Sequence, residues 1–156
     1  IEDAHRIMKE LPGNTFVKIP AIPEGFKAMK QLTKEGIRTT ATAIYTPLQG
    51  FLAAKSGASY AAPYINRIDN MGYDGIAVAC AIHDSFHKNG LSTQLLAASF
   101  KNSQQVLELC RYGVGAATVA PAVIDGMVKN AAIDSAIRVF EADFQSLTGQ
   151  ASMSEL

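Results

Sequence analysis

The stretch TFVKIPAIPEGFKAMKQLTKEGIRTTATAIY, residues 15–45, decides the fold class of this chain. Two short apolar runs rich in β-branched residues, at 15–21 and 37–45, predict strands. The segment between them predicts a helix, because Pro23 stands where helices begin and Gly36 stands where they end. A strand, a helix and a second strand in succession indicate a βαβ unit with parallel strands.

The same alternation continues along the rest of the chain. Three more apolar runs predict strands at 58–66, 92–100 and 115–121. Further helices are predicted at 2–10, 47–57, 76–88, 103–112, 122–129 and 132–147. The strands are nearly continuous apolar runs, which is typical of strands buried on both faces of a parallel sheet. We therefore predict an α/β protein with five parallel strands, folded as one domain over residues 1–156.

Composition narrows the classes of function. The 156 residues are 48% hydrophobic and 18% charged, an ordinary globular composition that excludes intrinsic disorder. Fourteen basic residues balance fourteen acidic ones, which argues against a nucleic-acid partner. No apolar run approaches the roughly 20 residues of a membrane span, so no membrane partner is expected. Two cysteines are too few for a disulfide framework, and we expect a cytoplasmic location.

One lysine lies inside a predicted strand. Lys18 shares a strand face with Phe16 and Pro20, so its amine is expected to be partly desolvated. Desolvation favours the neutral amine, which can attack a carbonyl carbon. A snorkelling or ion-paired lysine at a strand end is the alternative.

Other polar residues stand where predicted strands end. Arg67 follows the third strand, where α/β proteins bind ligands, and its guanidinium suits a phosphate or carboxylate. A surface salt bridge with Asp69 is equally compatible with the sequence. Ser99 ends the fourth strand and could either bind phosphate or cap the next helix. Thr42, inside the second strand, is by itself an ordinary strand residue.

Two histidines have a spacing that can bind metal. His83 and His87 are four residues apart on a predicted helix. No third ligand stands near them in the sequence, so a solvated helix face is the preferred interpretation. We expect no metal site.

Three segments of the chain, occurring in the same order, resemble sequences of the transaldolase family. They are FVKIPAIPEGFKAMKQLTKEGI at 16–37, TTATAIYTPLQGFLAAKSGASYAAPYINRIDNMGYDG at 39–75 and LLAASFKN at 95–102. The similarity is greatest to the small bacterial branch that contains fructose-6-phosphate aldolase. The resemblance implies a (β/α)8 TIM barrel, of which this chain supplies about the last five βα units. We expect an N-terminal segment with the first three strands to be missing, since the chain opens on Ile1 rather than Met.

The resemblance also implies a role for each candidate residue. Lys18 matches the Schiff-base lysine of a class I aldolase. Thr42 matches a threonine that helps to hold a catalytic water, and Tyr64 matches a tyrosine that transfers protons with that water. Arg67 and Ser99 match groups that bind the substrate phosphate. No cofactor or metal is implied.

The implied reaction is cleavage or formation of the C3–C4 bond of fructose 6-phosphate, with dihydroxyacetone and glyceraldehyde 3-phosphate as products. A transaldolase is the first alternative, although that branch usually has Phe in place of Tyr64. A catalytically silent binding or assembly module is the second.

The C-terminal helix predicts an interaction of its own. Ile133, Ile137, Phe140 and Phe144 recur at helical spacing within 132–147, and this apolar stripe must be buried. The resemblance implies that the helix reaches a neighbouring subunit in a homo-oligomeric ring. From the sequence alone, packing against its own chain is equally plausible.

Overall fold

The computed structural model of the chain describes residues 1–155. The chain divides into two compact units, Ile1–Ala120 and Pro121–Leu156. The first unit holds a four-stranded parallel sheet in the order β1-β2-β3-β4. The strands are β1 Val17–Pro20, β2 Thr39–Ile44, β3 Tyr60–Pro63 and β4 Gln94–Leu95. The predicted α/β class with a parallel sheet is confirmed.

Helices precede, connect and follow the strands of the first unit. They are α1 Glu2–Glu10, α2 Pro23–Lys34, α3 Pro47–Lys55, α4 Ile65–Asp69, α5 Gly75–Lys88 and α6 Ser103–Tyr112. The second unit consists of α7 Pro121–Val128, α8 Ala131–Thr148 and a 3₁₀ turn at Met153–Glu155. Among the residues described, no helix is both long and apolar enough to cross a bilayer.

The two faces of the sheet differ in chemistry. Ile19, Ala41, Ala61 and Leu95 pair across the four strands, so their side chains share one face. That face packs into the main hydrophobic core together with Met29 of α2 and with Ile82 and Phe86 of α5. Burying one large side chain of this kind contributes roughly 1.5–3 kcal/mol, so this face anchors the helices to the sheet. The opposite face carries Lys18, Thr40, Tyr60 and Gln94, which also pair in register.

The predicted fifth strand was wrong in extent. Residues 115–121 contribute a single parallel bridge, between Ala97 and Ala117, and α7 begins at Pro121. Glycine and alanine at 115–117 offer little side-chain surface with which to hold a longer ladder.

The predicted third strand was too long. It ends at Pro63, and the short helix α4 follows after one residue. Ile65 and Ile68 are both fully buried and lie three residues apart. This helical spacing favours a turn of helix over continued strand.

Candidate active site

Four of the five predicted site residues lie at the carboxyl-terminal edge of the sheet. Thr42 lies near the end of β2, and Tyr64 is the residue between β3 and α4. Arg67 lies on α4, and Ser99 follows β4. The carboxyl ends of parallel strands meet at one edge, which is where α/β proteins bind ligands.

A hydrogen bond joins the two hydroxyl groups of the site. The Thr42 Oγ1 and Tyr64 Oη atoms are 2.8 Å apart, and both residues are half-buried. Either hydroxyl can be the donor in this pair. A hydroxyl has one proton to donate and two lone pairs, so each oxygen keeps capacity for a further partner such as water or substrate. The pair can therefore hydrogen-bond a water or a substrate hydroxyl and form part of a proton relay with it.

The Arg67 guanidinium lies over the ring of Tyr64. Its central carbon is 4.4 Å from the ring centroid, a cation–π contact. The alternative salt bridge with Asp69 was wrong, because that carboxylate is already occupied. The backbone N–H of Gly75 donates to Oδ1 at 2.7 Å, and Gln105 Nε2 donates to Oδ2 at 2.6 Å. Among the side chains described, no carboxylate lies at ion-pair distance from Arg67, so its N–H groups can donate hydrogen bonds to an anionic ligand.

Left-handed backbone at two non-glycine residues marks the same edge. Ala43 has φ of 55° and Ser99 has φ of 65°. Such conformations are costly for residues with a Cβ, and they concentrate at functional sites. Ala43 lies in a bulge that shifts the register between β2 and β3 directly after Thr42. Bulges re-aim neighbouring side chains, and this one lies just ahead of Tyr45, whose ring meets that of Tyr64 edge-on at 5.8 Å.

The backbone at Ser99 caps the helix that carries Arg67. The carbonyl of Ser99 accepts a hydrogen bond from the Asn66 N–H at 3.0 Å, and that of Ala98 accepts from the Ile65 N–H at 2.9 Å. Ser99 does not cap the next helix, because Asn102 is the N-cap of α6. Its hydroxyl thus remains a candidate phosphate ligand beside α4.

Lys18 lies on the same sheet face as Thr42 but in a more open position. Lys18 pairs with Thr40, and Thr42 lies two residues further along, so the three side chains share a face. The expectation that the Lys18 amine is partly desolvated was wrong. Among the described residues β1 is an edge strand, and Lys18 is exposed. The ion-paired alternative also fails, since no described carboxylate reaches ion-pair distance of its amine.

The two histidines lie at the other end of the sheet. They line a cavity of about 370 Å³ with Ser92 and Gln94, next to the amino-terminal start of β4. Their ring centroids are 4.1 Å apart, and His87 Nδ1 lies 2.9 Å from the His83 carbonyl oxygen. Burial and the neighbouring His87 lower the pKa of His83. In the described part of the chain, no three His, Cys, Asp or Glu side chains are grouped to hold a metal ion.

Sequence reasoning missed Gln105. Its side chain is buried and contacts both α4 and the loop after β4. The signal was the spacing Asn102-x-x-Gln105, which resembles the N-cap and N3 positions of a capping box. The glutamine differs from a true capping box because its amide oxygen accepts from the N–H of Lys101, not of Asn102.

A parallel α/β sheet with hydroxyl and guanidinium groups at the carboxyl ends of its strands is the arrangement of an α/β enzyme with its ligand site at that edge. The family model for Transaldolase/Fructose-6-phosphate aldolase matches residues 1–155, almost the whole chain. The chain belongs to this family, which confirms the resemblance found in the sequence. Members of the family are TIM-barrel enzymes with aldolase-type chemistry on sugar phosphates.

Proposed function

We propose that this protein is a class I aldolase that interconverts fructose 6-phosphate with dihydroxyacetone and glyceraldehyde 3-phosphate. The observation that carries the proposal is the 2.8 Å hydrogen bond between Thr42 and Tyr64 beneath the Arg67 guanidinium. Aldol cleavage needs a group that removes a proton from a hydroxyl, and a sugar phosphate needs a cation for its phosphate. Both groups lie here at one edge of the sheet.

The reaction begins at Lys18. Its neutral amine attacks the keto carbon of the open-chain sugar, and loss of water gives an iminium. Tyr64, through a water held with Thr42, takes the proton from the C4 hydroxyl. The C3–C4 bond then breaks, and its electron pair moves into an enamine on the lysine. Glyceraldehyde 3-phosphate leaves with its phosphate held by Arg67 and Ser99.

The remaining steps restore the enzyme. The enamine takes a proton on carbon to regenerate an iminium. Water then adds to that iminium, and dihydroxyacetone is released with the lysine free again. Because the iminium polarises the carbonyl carbon, the proposed sequence uses neither a metal nor a cofactor.

We further propose that the four strands and the Ala97–Ala117 bridge belong to five consecutive βα units of a (β/α)8 barrel. A closed barrel has no free strand edge, whereas β1 pairs only with β2 in the described residues. Strands from outside these residues would pair with β1 and enclose Lys18. Enclosure would favour the neutral amine that the first step requires.

A homo-oligomer formed through α8 completes the proposal. Ile133, Ile137 and Phe140 are exposed on this helix, at 51%, 46% and 69% of their surface. An apolar stripe of this size is buried in most proteins, and a second copy of the chain is the proposed partner. The free cysteines Cys80 and Cys110 are consistent with the proposed cytoplasmic location.

The experiment that tests the activity measures dihydroxyacetone released from fructose 6-phosphate with no acceptor sugar present. We expect release by the whole protein and none by its Lys18→Met variant, with Lys27→Met as the surface-lysine control. Release that requires erythrose 4-phosphate would instead identify a transaldolase. Absence of turnover both with and without erythrose 4-phosphate would identify a silent binding module.

A further inference from the structure

One buried amide connects the two elements of the proposed phosphate site. Gln105, in the first turn of α6, is only 9% exposed, although it is a polar residue. Its Oε1 accepts from the backbone N–H of Lys101 at 2.8 Å. Its Nε2 donates to Asp69 Oδ2 at 2.6 Å and, more weakly, to Asn66 Oδ1 at 3.4 Å. Buried polar groups are costly unless paired, so these bonds hold the amide in one place.

The orientation of the amide follows from its partners. A carboxylate oxygen only accepts, so the NH₂ group of Gln105 must face Asp69. A backbone N–H only donates, so the amide oxygen must face Lys101. A flipped amide would lose both bonds. The Gln105 amide therefore has one orientation, with its oxygen towards the Lys101 N–H and its nitrogen towards the Asp69 carboxylate.

These contacts join the two segments that carry Arg67 and Ser99. Asn66 and Asp69 flank Arg67 on α4, and Lys101 follows Ser99 by two residues. Gln105 thus ties α4 to the loop after β4, in addition to the backbone bond between Asn66 and Ser99. It also keeps one oxygen of Asp69 engaged, so that this carboxylate does not pair with Arg67.

We propose that Gln105 is a positioning residue that sets the phosphate specificity of the site. It acts by holding the guanidinium of Arg67 and the hydroxyl of Ser99 at the spacing of one phosphate group. This inference rests on the proposed aldolase function. It adds that selection of phosphorylated over unphosphorylated aldehydes depends on an amide that never contacts the substrate.

The test compares two aldehydes that differ only in the phosphate. The whole protein condenses dihydroxyacetone with either glyceraldehyde 3-phosphate or glyceraldehyde, and KM and kcat are measured for each. In Gln105→Glu, a second carboxylate replaces the donor that faces Asp69. We expect KM for the phosphorylated aldehyde to rise about tenfold or more. For glyceraldehyde, kcat/KM should stay within about twofold of the wild type.

A double variant separates positioning from simple loss of structure. In Gln105→Glu with Asp69→Asn, the new amide donates to the new carboxylate, and its oxygen still accepts from Gly75. The bonds to residue 69 and to the Lys101 N–H and the net charge are thereby restored, and we expect phosphate preference to return to within about threefold of the wild type. Gln104→Glu is the matched control, because Gln104 is exposed on the same helix and bonds Glu108 instead.

Equal losses with the two aldehydes in Gln105→Glu, or no recovery in the double variant, would overturn the positioning role. A wild-type protein that condenses neither aldehyde would instead overturn the proposed function. A wild type that prefers the phosphorylated aldehyde, with Gln105→Glu unchanged, would leave the function intact and refute this inference alone.

Discussion

Two arginines of the first unit lie over aromatic rings at opposite ends of the strands. Arg38, ahead of β2, lies 4.3 Å from the centroid of Phe16, and Arg67, after β3, lies 4.4 Å from that of Tyr64. Arg38 also donates to Asn14 Oδ1 at 2.7 Å and to the Gly13 carbonyl at 3.1 Å. Arg67 makes no such bond to the described residues. The same stacking thus supports a structural role at the amino end, where the N–H groups are occupied, and a binding role at the carboxyl end, where they are free.

The largest expected effect comes from the hydroxyl beneath Arg67. In Tyr64→Phe the ring under the guanidinium remains, but the proton-transfer group is lost. We expect kcat for aldol cleavage to fall about 100-fold or more, the usual contribution of a general acid or base. Tyr60→Phe is the matched control at the start of β3, because the Tyr60 ring packs against Phe16 at the amino end. Similar kcat values for the two variants would contradict the role of Tyr64.

Replacing each arginine in turn should affect a different property, substrate binding for Arg67 and stability for Arg38. Arg67→Leu should raise KM for the sugar phosphate about tenfold or more, because it deletes a charge-assisted contact to phosphate. Arg38→Leu should leave KM unchanged and lower the free energy of unfolding by about 1–2 kcal/mol, since it removes two hydrogen bonds. Steady-state kinetics and urea denaturation distinguish these results. A rise in KM in Arg38→Leu would contradict the distinction between a structural arginine at the amino end of the strands and a binding arginine at the carboxyl end.

Ser99 should show a trade-off between stability and binding. Ser99→Gly relieves the left-handed backbone and should stabilise the protein by about 1 kcal/mol while weakening phosphate binding. Ser99→Ala removes the same hydroxyl and keeps the strain, so it should raise KM without any gain in stability. Thermal denaturation and KM for both variants test this. If Ser99→Gly left KM unchanged, the hydroxyl would not contact phosphate.

The smallest expected effect concerns the contact between α5 and α6. Tyr112 Oη donates to Asp84 Oδ1 at 2.6 Å. This bond lowers the pKa of Asp84 below its ordinary 3.8 and raises that of Tyr112 to about 12. A carboxyl whose pKa is lower in the folded state adds stability above its unfolded pKa and loses it as pH falls through the folded value.

Tyr112→Phe should therefore lower the melting temperature at pH 7 by no more than about 3 °C, since Tyr112 is exposed and Asp84 is only partly buried. The difference from the wild type should shrink as pH falls below 3.8, the ordinary pKa of Asp84. Melting curves from pH 7 to about pH 2 check this. A difference that persists unchanged in acid would mean that the lost interaction does not depend on the carboxylate.

Local patterns predicted most of the fold. The βαβ alternation from 15 to 45 and the helix-ending glycines gave the strands and helices of the sheet in the right order. The errors arose where pairing depends on distant residues. Strand pairing at 115–121 depends on the segment that follows β4, which contains its partner Ala97. Formation of α4 depends on burial of Ile65 and Ile68 within the fold. Neither condition can be read from a short window.

The site was predicted only in part, for a related reason. Strand-end positions suggested Arg67 and Ser99, and resemblance to the family supplied Thr42, but neither could show that Thr42 bonds Tyr64. Pairing of Asp69 with Gln105 connects residues 36 positions apart, so the competing salt bridge with Arg67 could not be dismissed from the sequence. The environment of Lys18 depends on whatever lies beside β1, which makes it the least predictable member of the site.

The most direct test of the central claim is reduction with borohydride in the presence of fructose 6-phosphate. Hydride adds to the iminium and fixes the sugar carbon to nitrogen as a stable secondary amine, which peptide mass spectrometry can locate. We expect one modified residue, Lys18, and loss of the adduct in Lys18→Arg. An unmodified Lys18, or an adduct on another lysine, would contradict the claim that Lys18 is the Schiff-base residue of this protein.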